Sequence, residues 1–310
     1  MSETAISVKD ISKSYGSFRA VDQVSFDVYK GEIFAMLGPN GAGKSTCLRM
    51  MLDILKPDSG TISILGGKLD ESRKDRIGYL PEERGLYRNV PVLEVMTYLG
   101  TLKGMTGKAA KQRAISLLER LELGDVTKKK VSELSKGMQQ KVQFAVTILH
   151  EPELIIVDEP FSGLDPINTL VIKELLLEFR QKGGAVVMST HQMFQVEEMA
   201  NRLFMINRGH AALYGNVNDV RAQYALPAVV VEGSGDWNAL SGVDRVEVRS
   251  DGEGTTARPG AMLYLKDGVS SHELLTEIAT RPGFEIIRFE QAIPSLNDIF
   301  IRVVDGDSAA

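Results

Sequence analysis

The sequence predicts an α/β protein: a parallel sheet covered on both faces, followed by a smaller α+β domain. Residues 33–37 (IFAML), 154–157 (LIIV) and 185–189 (AVVMS) are short, nearly continuous apolar runs. Central strands of a parallel sheet read this way because both of their faces are buried. Helical stretches lie between the runs, at 44–55, 92–103, 108–122, 136–150, 167–182 and 192–200. Strands alternating with helices imply right-handed crossovers. The first run leads into a glycine-rich loop that opens a helix, the arrangement of a phosphate-binding site.

Before that loop, residues 6–11 and 21–29 alternate apolar and polar, as half-buried antiparallel strands do. Residues 86–150 are mostly helical and precede the LIIV strand, so they read as a helical subdomain. Near 226 the character changes, giving domains 1–225 and 226–310. The second reads as strand 228–232, short helix 236–241, strands 243–249 and 261–266, helix 270–281 and strand 284–290. That β-α-β-β-α-β order is the split, ferredoxin-like pattern. The stretch 250–260 (SDGEGTTARPG) reads as an exposed hairpin loop, and Ser295–Val304 as a last amphipathic helix.

The 310 residues carry a net charge of −5 with no basic block, which argues against nucleic acid as the main partner. A single cysteine, Cys47, excludes an intramolecular disulfide and fits a reducing compartment. No apolar run approaches the ~18–20 residues that span a bilayer. The start, MSETAISVKD, lacks the basic region and apolar core of a signal peptide. The expected location is the cytoplasm, with any membrane-spanning part supplied by another chain.

Residues 37–46, LGPNGAGKST, fit the phosphate loop G-x-x-x-x-G-K-[ST] at Gly38, Gly43, Lys44 and Ser45. Its backbone N–H groups, from Gly38, Pro39, Asn40, Gly41, Ala42 and Gly43 on to Thr46 (proline having none to give), surround an anion at a helix N-terminus. Lys44 reaches the β- and γ-phosphates, and the Ser45 hydroxyl ligates Mg²⁺. The loop implies ATP or GTP and leaves open the work done. The strand LIIV ends in Asp158 and Glu159, delivering two carboxylates to the C-terminal edge of the sheet, where ligands of open α/β sheets bind. Asp158 suits the Mg²⁺ shell, and Glu159 suits a general base for the attacking water. In LSKGMQQKV (134–142), Ser135 is a good N-cap and Gly137 allows close backbone approach. This is either a second anion site or an ordinary capped helix. As an anion site it suggests a head-to-tail pair, each chain capping the nucleotide held by the other.

Over residues 5–225 the chain resembles the ATP-binding subunit of ABC transporters. The phosphate loop, LSKGMQ beside the signature LSGGQ, LIIVDEP, SGLD (162–165) and STHQM (189–193) occur in the family's order. The resemblance implies a RecA-like P-loop core with an antiparallel β subdomain and a helical subdomain, and head-to-tail dimers that sandwich ATP. It makes His191 a γ-phosphate sensor, Tyr15 an adenine-stacking aromatic and Asp165 a residue acting across the dimer. ATP and Mg²⁺ are the implied cofactors. The implied partners are permease subunits on separate chains and a second copy, or a related ATPase; the implied place is the inner face of the membrane.

Glu82, in IGYLPEERGLY (77–87), stands where the family has a glutamine, and Arg84 is a candidate partner for it. A carboxylate is a stronger Mg²⁺ ligand than an amide but repels phosphate unless the metal intervenes. Lys136 and Met138 also depart from the signature. YLPEERGLY, together with the ending SLNDIFIRVV, resembles a bacterial exporter subgroup that includes sodium-extruding and drug-exporting systems. Leu86, Tyr87 and Val90 are then candidates to line a groove for the membrane partner's coupling helix. The competing class is a soluble ABC ATPase acting on ribosomes or DNA.

Overall fold

The computed structural model describes residues 3–83, 85–249 and 260–306. Arg84, the suggested partner of Glu82, and the loop expected at 250–260 lie outside these residues, apart from Gly260, which begins a strand. The chain divides into two compact units after Val217, upstream of the composition change at 226.

In the first unit, β1 (Thr4–Tyr15) and β2 (Phe18–Tyr29) form a long antiparallel hairpin. Then come β3 (Ile33–Leu37), α1 (Lys44–Met51), β4 (Ser59–Ile64), α2 (Glu71–Lys74) and β5 (Ile77–Leu80). The helices α3 (Val92–Leu102), α4 (Gly107–Arg120) and α5 (Lys136–Ile148) make the helical subdomain. The unit ends with β6 (Leu154–Asp158), α6 (Pro166–Gln181), β7 (Ala185–Ser189), α7 (Met193–Met199), β8 (Arg202–Asn207) and β9 (His210–Asn216). A short helix, α8 (Val217–Gln223), runs through the division.

β2, β1 and β4 form an antiparallel sheet in that order. The main sheet has the order β5-β6-β7-β3-β8-β9, parallel except for β9. Every residue of β3, β6 and β7 is buried, as their unbroken apolar runs require. Consecutive strands in the chain are not neighbours at β7-β3-β8, and β3 and β6 end on the same edge. The phosphate loop and the acidic pair therefore emerge side by side. One core joins the hairpin to the main sheet through Val24, Phe26, Phe34 and Phe204, with Phe26 stacked on Phe34 at 5.4 Å.

The second unit contains β10 (Ala228–Ser234), β11 (Val243–Arg249), β12 (Gly260–Leu265), α9 (Ser271–Thr280), β13 (Glu285–Gln291) and α10 (Leu296–Gly306). Its sheet order, β11-β12-β10-β13 and antiparallel throughout, is that of the split ferredoxin-like pattern. The helix expected at 236–241 is only a 3₁₀ turn, Trp237–Ala239. α9 starts at a capping box between Ser270 and Glu273. Val229, Val231, Leu263, Leu274 and Ile278 form this unit's own core.

Candidate nucleotide site

The loop between β3 and α1 is shaped by its glycines. Gly43 has φ 116°, and a Cβ there would lie 2.5 Å from the Ala20 carbonyl oxygen. Gly43 is also the cap of α1, with no side chain over the helix end, so the first-turn N–H groups face outward. Lys44 is buried, and its ammonium donates to the carbonyls of Gly38 (2.6 Å) and Pro39 (3.1 Å). Burial pushes its pKa down, while the charges of Glu159, Asp158 and Glu82 oppose the shift. Ala42 is buried, and its carbonyl accepts from Gly209 N–H.

At the end of β6, Asp158 and Glu159 are both buried. Glu159 has φ 48°, a left-handed conformation uncommon for a non-glycine residue and typical of sites where geometry matters more than local strain. Its carboxylate is held by β7's continuation. Thr190 Oγ1 donates to Oε2 (3.2 Å), His191 N–H donates to Oε1 (3.0 Å), and His191 Nδ1 lies 2.7 Å from Oε1. The His191 ring itself is largely exposed. Burial, with the like charges of Glu82 and Glu159, pushes the Asp158 carboxyl above the usual carboxylate range.

One cleft collects Asn40, Gly41, Gly43, Lys44, Ser45, Thr46, Glu82, Asp158, Glu159 and His191, with Tyr15 at its wall. Phe18 and Ala20 line it too, at positions that no sequence motif marks. Phe18 pairs directly opposite Tyr15 across the hairpin turn, so both exposed rings stand beside the phosphate loop. Thr190 was also missed; only its place beside His191 signalled it.

Ser135, Gly137 and Asp165 do not line this cleft. Ser135 is exposed and caps α5, accepting from Met138 N–H at 3.3 Å. Asp165 caps α6 and accepts from Asn168 N–H at 2.9 Å, which holds its carboxyl below the usual range. A Cβ on Gly137 would lie 3.4 Å from Asn168 Nδ2 and 3.9 Å from a Leu164 methyl, ordinary contacts. Nothing among the described residues demands a glycine there.

Among the described residues no three His, Cys, Asp or Glu side chains converge to hold a metal by themselves. Mg²⁺ does not need that: it keeps waters and phosphate oxygens and takes one or two protein oxygens. Ser45, Asp158 and Glu82 all line the cleft and offer only oxygen donors, and the crowding of negative charge around Asp158 suits a hard cation.

On the other side of the Glu82 loop, Leu86 shares a hollow with Glu82, Glu83, Arg88, Gln139, Gln140 and Ser162. Tyr87 is exposed and packs edge-on against Tyr98 at 6.0 Å. Tyr98 in turn lines a groove with Pro91, Leu93, Glu94 and Thr97. Val90 is half-buried and outside both hollows.

The ABC transporter family model matches residues 21–162, and the model of the DrrA1-3-like ATP-binding protein C-terminal domain matches 215–304. An ABC transporter ATP-binding protein of Alkalihalophilus pseudofirmus is 40% identical over 87% of this chain and 98% of its own. The Nod factor export ATP-binding protein I of Rhizobium etli is 32% identical over 97% of this chain and 93% of its own. A solved ATP-binding subunit of an ABC transporter superposes with a TM-score of 0.67 at 32% identity, over 71% of this chain and 93% of that one. A dimeric bacterial ABC transporter cassette gives 0.63 at 26% identity, over 68% and 98%.

The chain belongs to the ATP-binding proteins of ABC transporters, and carries a DrrA-like C-terminal domain. It is an ATP-binding ATPase with a P-loop core, an antiparallel β subdomain and a helical subdomain. No helix among the described residues is long and apolar enough to cross a membrane.

Proposed function

We propose that this chain powers an exporter whose membrane-spanning subunits are separate chains, and that it works at the cytoplasmic face of the membrane. Two copies, or one copy and a related ATPase, close head to tail on ATP. The observation that carries this is the division of the motif set: the phosphate loop, Asp158, Glu159 and His191 share one cleft, while Ser135 and Gly137 stand exposed or half-exposed away from it. A second chain can bring its own Ser135 helix end to the γ-phosphate, where the helix dipole and free N–H groups favour an anion. Export is supported by the relatives, which include the Nod factor export protein.

In the cleft, Lys44 and the loop N–H groups hold the β- and γ-phosphates, and the Tyr15 ring stacks on the adenine. When bound, Mg²⁺ neutralises developing charge on the transferred phosphoryl group. Ser45, Asp158 and Glu82 would hold it. Glu159 orients the attacking water and takes its proton. His191, already tied to Glu159, contacts the γ-phosphate and reports its presence. Asp165 works across the dimer from the end of α6. The apolar and aromatic surface at Tyr87, Tyr98 and Leu93 is the docking place for the membrane partner.

Solubilising membranes of the source cell in mild detergent and pulling on this chain tests the reading. It requires a multi-spanning protein in near-equal amount. Capture of ribosomes or only soluble partners would transfer the case to a soluble ABC ATPase.

A further inference from the structure

β5 is an edge strand of the main sheet, so every second carbonyl along it points away from β6. One face of α5 meets that row. His150, just past the helix end, has its Nε2 3.1 Å from the carbonyl oxygen of Ile77. Thr147 Oγ1 lies 3.4 Å from Tyr79 O, though its single proton has a nearer acceptor in Gln143 O at 3.0 Å. Gln143 Nε2 donates to Pro81 O at 3.4 Å and Glu83 O at 3.2 Å. Positions 143, 147 and 150 are spaced for one helix face, 77 and 79 are alternate residues of β5, and 81 and 83 keep the same spacing in the loop after it. The backbones are close as well: a Cβ on Gly78 would lie 2.3 Å from Thr147 O. The row continues beyond the strand, and its last two carbonyls flank Glu82.

We propose that Gln143 is a positioning residue for Glu82. Its buried amide grips the carbonyls on both sides of Glu82 and fixes where that carboxylate stands in the cleft. Each bond is long and weak alone, but the donor is buried and both acceptors belong to the same turn of loop. The same helix begins at Ser135, so α5 joins the end that meets the second chain to the loop that carries Glu82. One turn nearer Ser135, Gln140 Nε2 reaches Pro160 O at 3.4 Å, directly after Glu159. This inference rests on the reading of Glu82 as part of the metal shell.

The test is Gln143→Met, which keeps the volume and removes the donor, made alone and with Glu82→Ala. In the metal-free, nucleotide-free protein, the Glu82 and Glu83 amides should exchange hydrogen about 3–10 times faster, the range expected for losing a modest hydrogen bond. The Mg²⁺ concentration giving half the maximal ATPase rate should rise by a similar factor, about 3–10-fold, with KM for ATP little changed. In the Glu82→Ala background, Gln143→Met should add nothing to the Mg²⁺ dependence. Unchanged exchange at Glu82, or an equal loss in both backgrounds, would reduce Gln143 to packing. If Glu82→Ala by itself leaves the Mg²⁺ dependence untouched, the metal role of Glu82 falls, and the exchange result still judges Gln143. Should Gln143→Met not fold, Gln143→Glu keeps the shape and must show the same loosening of the Glu82 loop.

Discussion

Asp158 shows how the site trades stability for chemistry. Its carboxyl is raised above the usual range by burial and by Glu82 and Glu159, so the ionised form costs the folded state free energy. The sign follows from proton linkage. Between the ordinary pKa and the raised one the folded chain holds more protons than the unfolded chain, so stability falls as pH rises through that window and stays lower above it. Asp158→Asn removes the cost. In the absence of nucleotide and metal the variant should melt about 2–4 °C above the wild type at neutral pH, the difference shrinking as pH falls toward the ordinary carboxylate range. It should also lose most of its ATPase rate. A lower melting temperature at neutral pH would mean that the carboxylate stabilises the fold. At this scale the sequence was informative wherever a motif packs its chemistry into one short stretch: Lys44, Ser45, Asp158, Glu159 and His191 meet in one cleft. Phe18 and Thr190 were not legible. Each depends on pairing, one across a hairpin and one across the sheet edge, and neither spacing marks it.

At the scale of elements, α5 against β5 is the contact with the largest consequence. Gly78→Val would place side-chain atoms inside the Thr147 carbonyl, forcing α5 off the strand. Overpacking of this kind costs about 1–3 kcal/mol. We expect a lower melting temperature together with a weaker Mg²⁺ response, because the Glu82 loop is held by the same helix face. A variant that melts lower but keeps its Mg²⁺ response would separate the two. The strands β3, β6 and β7 were readable because burial on both faces writes an unbroken apolar run. β4, β5, β8 and β9 were not. β5 has four residues, one of them glycine, and half of β4 is exposed. The β8–β9 hairpin turns at Arg208–Gly209, both with positive φ (48° and 84°). Asn-Gly or Asp-Gly would have announced that turn; arginine in the first place conceals it.

At the scale of the whole molecule, each unit has its own core, and only the first holds the nucleotide cleft. The second unit's sheet order was legible from the β-α-β-β-α-β sequence alone, because turn residues separate its short strands; only the first helix shrank, to a 3₁₀ turn at Trp237–Ala239. On the proposed head-to-tail reading, a second chain supplies the face that completes the site. Ser135, Gly137 and Asp165 serve their own helices in the monomer, so a monomer should bind ATP and hydrolyse it poorly, and hydrolysis should rise with protein concentration.

The most direct measurement of the central claim is the mass in solution of Glu159→Gln, with and without ATP, beside its rate of hydrolysis. On the proposed mechanism the variant lacks the carboxylate that would take the proton while the phosphate loop is intact, so turnover should fall by about 10²–10⁴-fold and ATP should hold the chain as a dimer with one nucleotide per cleft. A variant that turns ATP over at the wild-type rate, or that binds ATP and stays monomeric at every concentration, would contradict the account.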